Sequence, residues 1–432
     1  MHTTQQQLMQ RHYDEVASQG PVCDRERRAA YAIKVCGTRA LGAHVLSCPD
    51  GAYEQLQFHA CRHRSCARCG AVAQQRWAEQ ELRRLLPCAH HHVVFTLPHD
   101  LIDLWSHNRG PFTALLMHSA RQALLQTLAD PRILGAVPGI VLNLHTWGRN
   151  LSRHPHVHCL VSAGGVDAQG RWVATRRNWL VPVKALRARY KHCLLQGISQ
   201  GLRQGWTLPE GSDVAQWSTA IKRLWRKKHW NIEISPTYEH GRGVVLYLAR
   251  YAKAGPLPRS RPLTIDDSGC VSFPYHDHRT QRTQTQRLSA QQFVRRLLWH
   301  APASRQHTTR HAGLYNSNHR EHHAQACAQL RQDDHPWPRP QTSPTPAPAT
   351  PCPHCGKSLL RTRRLAGLKR QVQGVHHTGA FSPPGEQATA ERGSTRRSNG
   401  PSTANSGRAP PSWDIVGSAR PLLPADGRSP QR

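Results

Sequence analysis

Residues 152–165 read SRHPHVHCLVSAGG, with His156 and His158 flanking one valine at the front of an apolar run. Side chains alternate faces along a strand, so the two imidazoles point the same way, about 7 Å apart. That spacing suits two ligands of one cation on a sheet surface. The pattern by itself is weak. With 30 histidines in 432 residues a chance His-x-His is expected about twice, and HHH at 90–92 and HDH at 276–278 contain it too. Context strengthens it. GIVLNLHTW (139–147) reads as the preceding strand, so His145 can lie beside the pair. Three imidazoles converging on one face would leave open positions for substrate oxygens. Taken alone, His145 is also compatible with a satisfied core or edge histidine.

A second constellation lies in GRGVVLYLARYAKAG (241–255), a helical pattern closed by Gly255 and Pro256. Tyr247 and Tyr251 are four residues apart and share a face, their β-carbons about 5–6 Å apart. Such a pair is ordinarily core packing. Here Arg250 and Lys253 stand beside it. A phenol with a pKa near 10 is a poor nucleophile until cations or a metal stabilise the phenolate.

The chain has 13 cysteines, six of them between positions 23 and 69, and two more in CPHC at 352–355. Nothing at the N-terminus resembles a signal peptide and no run approaches membrane-spanning length, so the protein reads as cytosolic and the clustering as metal binding. Cys66-Ala-Arg-Cys69 has zinc-knuckle spacing, and the interleaved Arg62, Arg64 and Arg68 suit DNA phosphates. Cys352 and Cys355 form a half-site with no second pair nearby in sequence: a remnant knuckle or a member of another site. In KRLWRKKHW (222–230), Trp225 and Trp230 alternate with cations that include Arg226, Lys227 and Lys228. Indoles can stack on bases while cations follow the backbone. The competing reading is a helix with its tryptophans in the core.

These residues need elements to hold them. Helical spacing marks 76–86, 112–130, 180–198 and 215–230, and Ser289 caps a further amphipathic helix. Strands are expected at 91–99, at 139–147 and 154–165 with a turn into a third at 166–173, and at 230–238, with a hairpin at 263–275. Residues 36–70 show no clear periodicity. After about residue 330 the chain turns proline-rich, and 361–432 is Arg, Ser, Gly and Pro with little apolar content, the composition of a disordered tail. Fifty-eight Lys and Arg stand against 26 Asp and Glu, a net charge of +32, which favours a nucleic-acid partner over a membrane when no anchor is evident. No internal repeat is present.

HTWGRNLSRHPHVHCLVSAGG, VLYLARYAKAGPL and CRHRSCARCG together resemble transposases of the insertion sequence 91 type, rolling-circle enzymes of the HUH endonuclease class. LGAHVLSC, HHVVFTLPHDL, FVRRLLWH and the late CPHCG also resemble segments of that family, over about residues 25–356. The resemblance implies that His156 and His158, with His145 as a third candidate, ligate Mg²⁺ or Mn²⁺. Tyr247 or Tyr251 would attack single-stranded DNA at the element's ends, leaving a 3′-OH and a 5′-phosphotyrosine, and then join it to target DNA. It also implies Zn²⁺ in the N-terminal module. Where the family shows CxxC and then CRNRHCPKC, this chain has Gly51 and Ser65 in place of two ligands. Cys48, Cys61, Cys66 and Cys69 can still make four, with Cys36 or His63 as substitutes.

The expected fold is α+β: a central antiparallel sheet of HUH-endonuclease type carrying the histidines, flanking helices, a small N-terminal zinc module and a disordered C-terminal tail. The expected divisions are a helical lead-in at 1–35, a zinc module at 36–87, a catalytic domain at 88–300, a basic extension at 301–330 and the tail at 331–432. Alternatives are a rolling-circle replication initiator, or a zinc-dependent DNA-binding relic without catalysis.

Overall fold

The computed structural model describes residues 3–176, 179–228, 230–238, 242–252, 255–257, 261–277, 280–303, 306–331 and 350–367; for Tyr247, Arg250, Tyr251 and Ala252 it describes the backbone. The elements in chain order are α1 (Thr4–Ser18), α2 (Asp24–Val35), β1 (Ala43–Ser47), β2 (Glu54–Phe58), α3 (Ala67–Arg84), β3 (His90–Thr96), α4 (Ile102–His107) and α5 (Arg109–Leu128). There follow β4 (Val137–Trp147), β5 (Arg153–Val166), β6 (Trp172–Ala174), α6 (Val183–Arg203), α7 (Val214–Arg226), β7 (Ile232–Ile234) and α8 (Arg242–Ala252). The last are β8 (Thr264–Ile265), β9 (Val271–Asp277), β10 (Arg282–Leu288), α9 (Ala290–Trp299), β11 (Thr309–Gly313), α10 (Arg320–Arg331) and β12 (Leu360–Leu365).

The central sheet has six antiparallel strands, in the order β11-β4-β5-β3-β7 with β6 beside β5. Helices cover both of its faces, which is why β4 and β5 are apolar on both sides rather than alternating. On one face Leu142, Leu144, Val157 and Cys159 meet Phe112 and Leu124 of α5, Leu186 and Leu194 of α6 and Leu224 of α7. On the other, Val141 and Leu160 meet Trp77 and Ala78 of α3, Val244, Val245, Leu248 and Ala249 of α8 and Ala326 of α10. Most elements lie where periodicity placed them, and the Ser289 cap closes a full capping box with Gln292.

The expected divisions change in three places. Within the expected lead-in, residues 4–35 form two helices that belong to the cysteine region: the Gln5 amide donates to the Ser65 carbonyl at 3.0 Å and accepts from the Ala67 N–H at 2.9 Å. The 301–330 stretch contributes β11 to the central sheet, so it is no separate extension. Residues 350–367, expected within the disordered tail, are folded: β12 pairs antiparallel with β1, and β1 with β2. The expectation of disorder at 332–349 and 368–432 falls outside the described residues. No helix among the described residues is long and apolar enough to cross a membrane.

One buried hydroxyl ties three elements together. His90 donates through Nδ1 to the Cys88 carbonyl at 2.9 Å, which leaves Nε2 to accept from the Tyr315 hydroxyl at 2.5 Å. The same oxygen accepts from the Leu86 N–H at 3.2 Å. Tyr315→Phe should strand both partners and cost about 1–3 kcal/mol, read as a lower urea midpoint with an unchanged slope; an unchanged midpoint would show that the hydroxyl carries no stability.

Candidate functional site

The register of β4 on β5 sets His145 directly opposite His156, and Asn143 opposite His158. The three rings are neighbours, with centroids 5.2 Å apart for His145 and His156, 4.1 Å for His145 and His158, and 4.7 Å for His156 and His158. One ring nitrogen from each can lie within 4.8 Å of the others, and the trio includes no carboxylate. Such a donor set suits Mn²⁺ better than Mg²⁺, with the remaining ligands supplied as oxygens by water and a phosphate.

Hydrogen bonds orient the trio. His156 donates through Nδ1 to the His154 carbonyl at 2.6 Å, which leaves Nε2 as the lone-pair nitrogen. His158 Nδ1 lies 2.8 Å from Nε2 of His92, with the two rings stacked. Burial, and then the neighbouring imidazoles, push His156 down to about 3 and hold His145 and His158 well below the ordinary imidazole range. Burial alone takes His92 down to about 4. All four rings are therefore neutral near pH 7, the state that ligation requires. His92 belongs to the HHH run that counted as chance; its value comes from its position on β3, two residue pairs beyond Val94, which faces His158.

The helix with both tyrosine positions crosses this same face. Its residues Val244, Val245, Leu248 and Ala249 pack on Val141 and Leu160, two residue pairs along from Asn143 and His158. The side chains of Tyr247, Tyr251 and Arg250 lie outside the described residues, as does Lys253. Just past the helix, a Cβ placed on Gly255 would lie 3.2 Å from the Ser65 Cα, so the end of α8 abuts the cysteine knuckle.

In that knuckle the Sγ atoms of Cys36, Cys61, Cys66 and Cys69 lie within 4.8 Å of one another. Backbone N–H groups point at the sulfurs: Cys61 to Cys36 at 3.5 Å, Arg62 to Cys69 at 3.3 Å and His63 to Cys61 at 3.4 Å. Four sulfurs with such donors around them fit Zn²⁺. Hydrogen bonds from the neighbouring thiols, Cys61 first, hold the Cys36 thiol far below the usual range. Cys36 is thus the fourth member, and the expected Cys48 is not. Cys48 stands in a separate group with Cys352 and Cys355. His63 lies apart, its Nδ1 accepting from the Ser65 N–H at 3.1 Å.

The arginines of the knuckle diverge. Arg62 and Arg68 are exposed, with Arg68 lying over Gly37. Arg64 turns inward, donates to the Thr308 hydroxyl, and sits close enough that its charge lowers the His145 pKa. Burial brings Arg64 itself down to about 10, so it stays a cation. The tryptophans separate too. Trp230 is in the core at 2% exposure, packed near Tyr190, as the competing reading of this run has it. Trp225 is exposed, and so are Arg226, Lys227 and Lys228. They belong to the helical layer on the face opposite the histidines.

Residues 8–97 match the family model described as "Transposase zinc-binding domain", and residues 139–323 match one described as "Putative transposase". The chain is 32% identical over 326 residues to "Putative transposase y4qJ" of Sinorhizobium fredii, covering 74% of this chain and 81% of that one. It is 30% identical over 374 residues to "Transposase for insertion sequence element IS801" of Pseudomonas savastanoi pv. phaseolicola, covering 83% and 88%.

The thiol geometry has a direct consequence for mutants. Cys36→Ser should lose the zinc held beside Cys61, Cys66 and Cys69, whereas His63→Ala should retain the parent's metal content. Elemental analysis of the purified proteins checks both, and equal zinc in Cys36→Ser and parent would remove Cys36 from the ligand set.

Proposed function

The chain belongs to the transposases of the insertion sequence 91 family, and from that premise we propose that it cuts one DNA strand through a tyrosine and rejoins it from a 5′-phosphotyrosine. The observation that carries this reading is the packing of α8, the helix of Tyr247 and Tyr251, on the sheet face that displays His145, His156 and His158. As a transposase the protein acts on DNA; single-stranded DNA at the element's ends is the substrate proposed here.

His145, His156 and His158 would hold Mg²⁺ or Mn²⁺, which when bound supplies positive charge against a scissile phosphate. The tyrosine oxygen attacks phosphorus, the bond from phosphorus to the 3′ oxygen breaks, and the proton lost by the phenol balances the one gained by the departing 3′-OH. One phosphodiester replaces another, so rejoining to a new 3′-OH needs no nucleotide cofactor. Two tyrosines on one helix would allow a second strand to be taken before the first is released. Arg64 would place a half-buried cation close to His145, where it can counter phosphate charge with less screening than an exposed arginine. Arg62 and Arg68 would engage phosphates further along the strand. Arg250 and Lys253 follow the tyrosines in sequence and would do the same at the helix end. Trp225, Arg226, Lys227 and Lys228 present a second basic surface behind the sheet, suited to flanking DNA.

Two variants test the assignment on a labelled single-stranded oligonucleotide carrying the element's end with Mn²⁺. Tyr251→Phe should abolish the covalent adduct or transfer it wholly to Tyr247, as peptide mapping reports; an adduct on neither residue would refute the nucleophile. His156→Ala should reduce metal-dependent nicking by about 100-fold or more and leave DNA affinity within a few-fold. Nicking that persists in EDTA would contradict the metal reading.

A further inference from the structure

The second cysteine group is built from the two ends of the described chain. Cys48 follows β1, and Cys352 and Cys355 precede β12, 307 residues away from Cys48 in the case of Cys355. Antiparallel pairing of Ser47 with Leu360 brings the turns together. The Sγ atoms of Cys48, Cys352 and Cys355 lie within 4.8 Å of one another, those of Cys48 and Cys355 3.4 Å apart.

The two turns are alike in backbone. The Cys48 N–H donates to the Tyr53 carbonyl at 2.8 Å, and the Cys352 N–H donates to the Lys357 carbonyl at 2.8 Å, each spanning five residues. Overlaying them on that bond sets Gly51 against Cys355. Position 51 thus corresponds to a fourth thiol that this chain lacks, and a Cβ placed there meets nothing within 4 Å. What else holds the turns is slight. The buried cluster comprises Leu46, Cys48, Cys352 and Leu359, with Tyr53 partly buried against it. An exposed ion pair joins Lys357 to Asp50 at 2.8 Å. An apolar core of that size does not order two turns, and an exposed ion pair adds at most about 1 kcal/mol.

We propose that Cys48, Cys352 and Cys355 bind a second zinc ion through three thiolates, with a solvent molecule in the fourth position. Residues 352 and 355 lie outside both stretches matched by the family models, and the site is independent of the catalytic reading. Its effect is to clamp the 350–367 segment onto the edge of β1. There β12 presents Arg361, Arg363 and Arg364 to solvent as a basic edge strand. Docking there is close: Gly42 has φ +80°, and a Cβ on it would lie 2.4 Å from the Leu365 carbonyl oxygen.

The experiment measures zinc by elemental analysis and native mass spectrometry in the full-length protein, purified under reductant, and in Cys352→Ser/Cys355→Ser. The double variant should carry one zinc fewer per chain, with hydrogen exchange in 350–367 rising while α3 and β4 keep parental protection. Because that variant leaves Cys36, Cys61, Cys66 and Cys69 intact, general unfolding would appear as lost protection in α3 and β4. If it does, Cys355→Ser alone, judged by faster zinc release to a chelator than from the parent, replaces it. Equal zinc content in parent and variants, or a parent lighter by two hydrogens through a Cys48–Cys355 disulfide with no second ion, would overturn the proposal.

Discussion

The pairing of β4 with β5 is the constraint on which the rest depends. In the observed register His145 faces His156, and His158 follows on the same side. A slip of one residue between the two strands would carry His145 and the His156–His158 pair onto opposite faces of the sheet. Helices on both faces bury β4 and β5 up to the histidines. The same enclosure desolvates the rings and keeps them uncharged, so the packing that fixes the site also sets its protonation.

The cysteine module is part of this arrangement. Leu8, Ala30 and Ile33 from α1 and α2 share a core with Phe293 and Leu297 of α9, Phe273 of β9, and Cys36 and Cys66 of the knuckle. The Arg295 guanidinium donates to the Val16 carbonyl at 2.9 Å across the same contact. Arg64 extends from the knuckle to Thr308, just before β11, and Gly255 closes on Ser65 from the other side. Metal binding at Cys36, Cys61, Cys66 and Cys69 is thereby coupled to the position of an arginine at the histidine face. On the proposed reading this would give the zinc module a role in positioning the cation beside the histidines.

Much of the fold was legible in the chain. The β3, β4 and β5 strands, the α5, α6 and α7 helices, the hairpin turn at Asp266–Gly269 and the Ser289 cap each follow from local periodicity or turn chemistry. His156 and His158 were legible for the same reason, since a two-residue spacing on a strand decides their common face. β11, in the polar stretch Thr309–Gly313, gave no such signal, because it is an edge strand whose pairing with β4 supplies its order. β12, an arginine-rich run, owes its order likewise to β1.

What the amino-acid order determined by itself was residue type and short-range spacing: two imidazoles on one strand face, two phenols on one helix, and enough thiols for metal. Which thiols meet was decided by tertiary structure. By sequence Cys48 is the expected partner of Cys61, Cys66 and Cys69, with Cys36 a substitute, and strand pairing 307 residues apart takes Cys48 to Cys355 instead. The same holds for Trp225 against Trp230, one exposed and one buried from a single basic run, and for His92, whose ring matters only because β3 lies beside β5. The physical reason is range. Periodicity and capping act over one turn or one strand, whereas a ligand set closes over whatever distance the sheet order imposes.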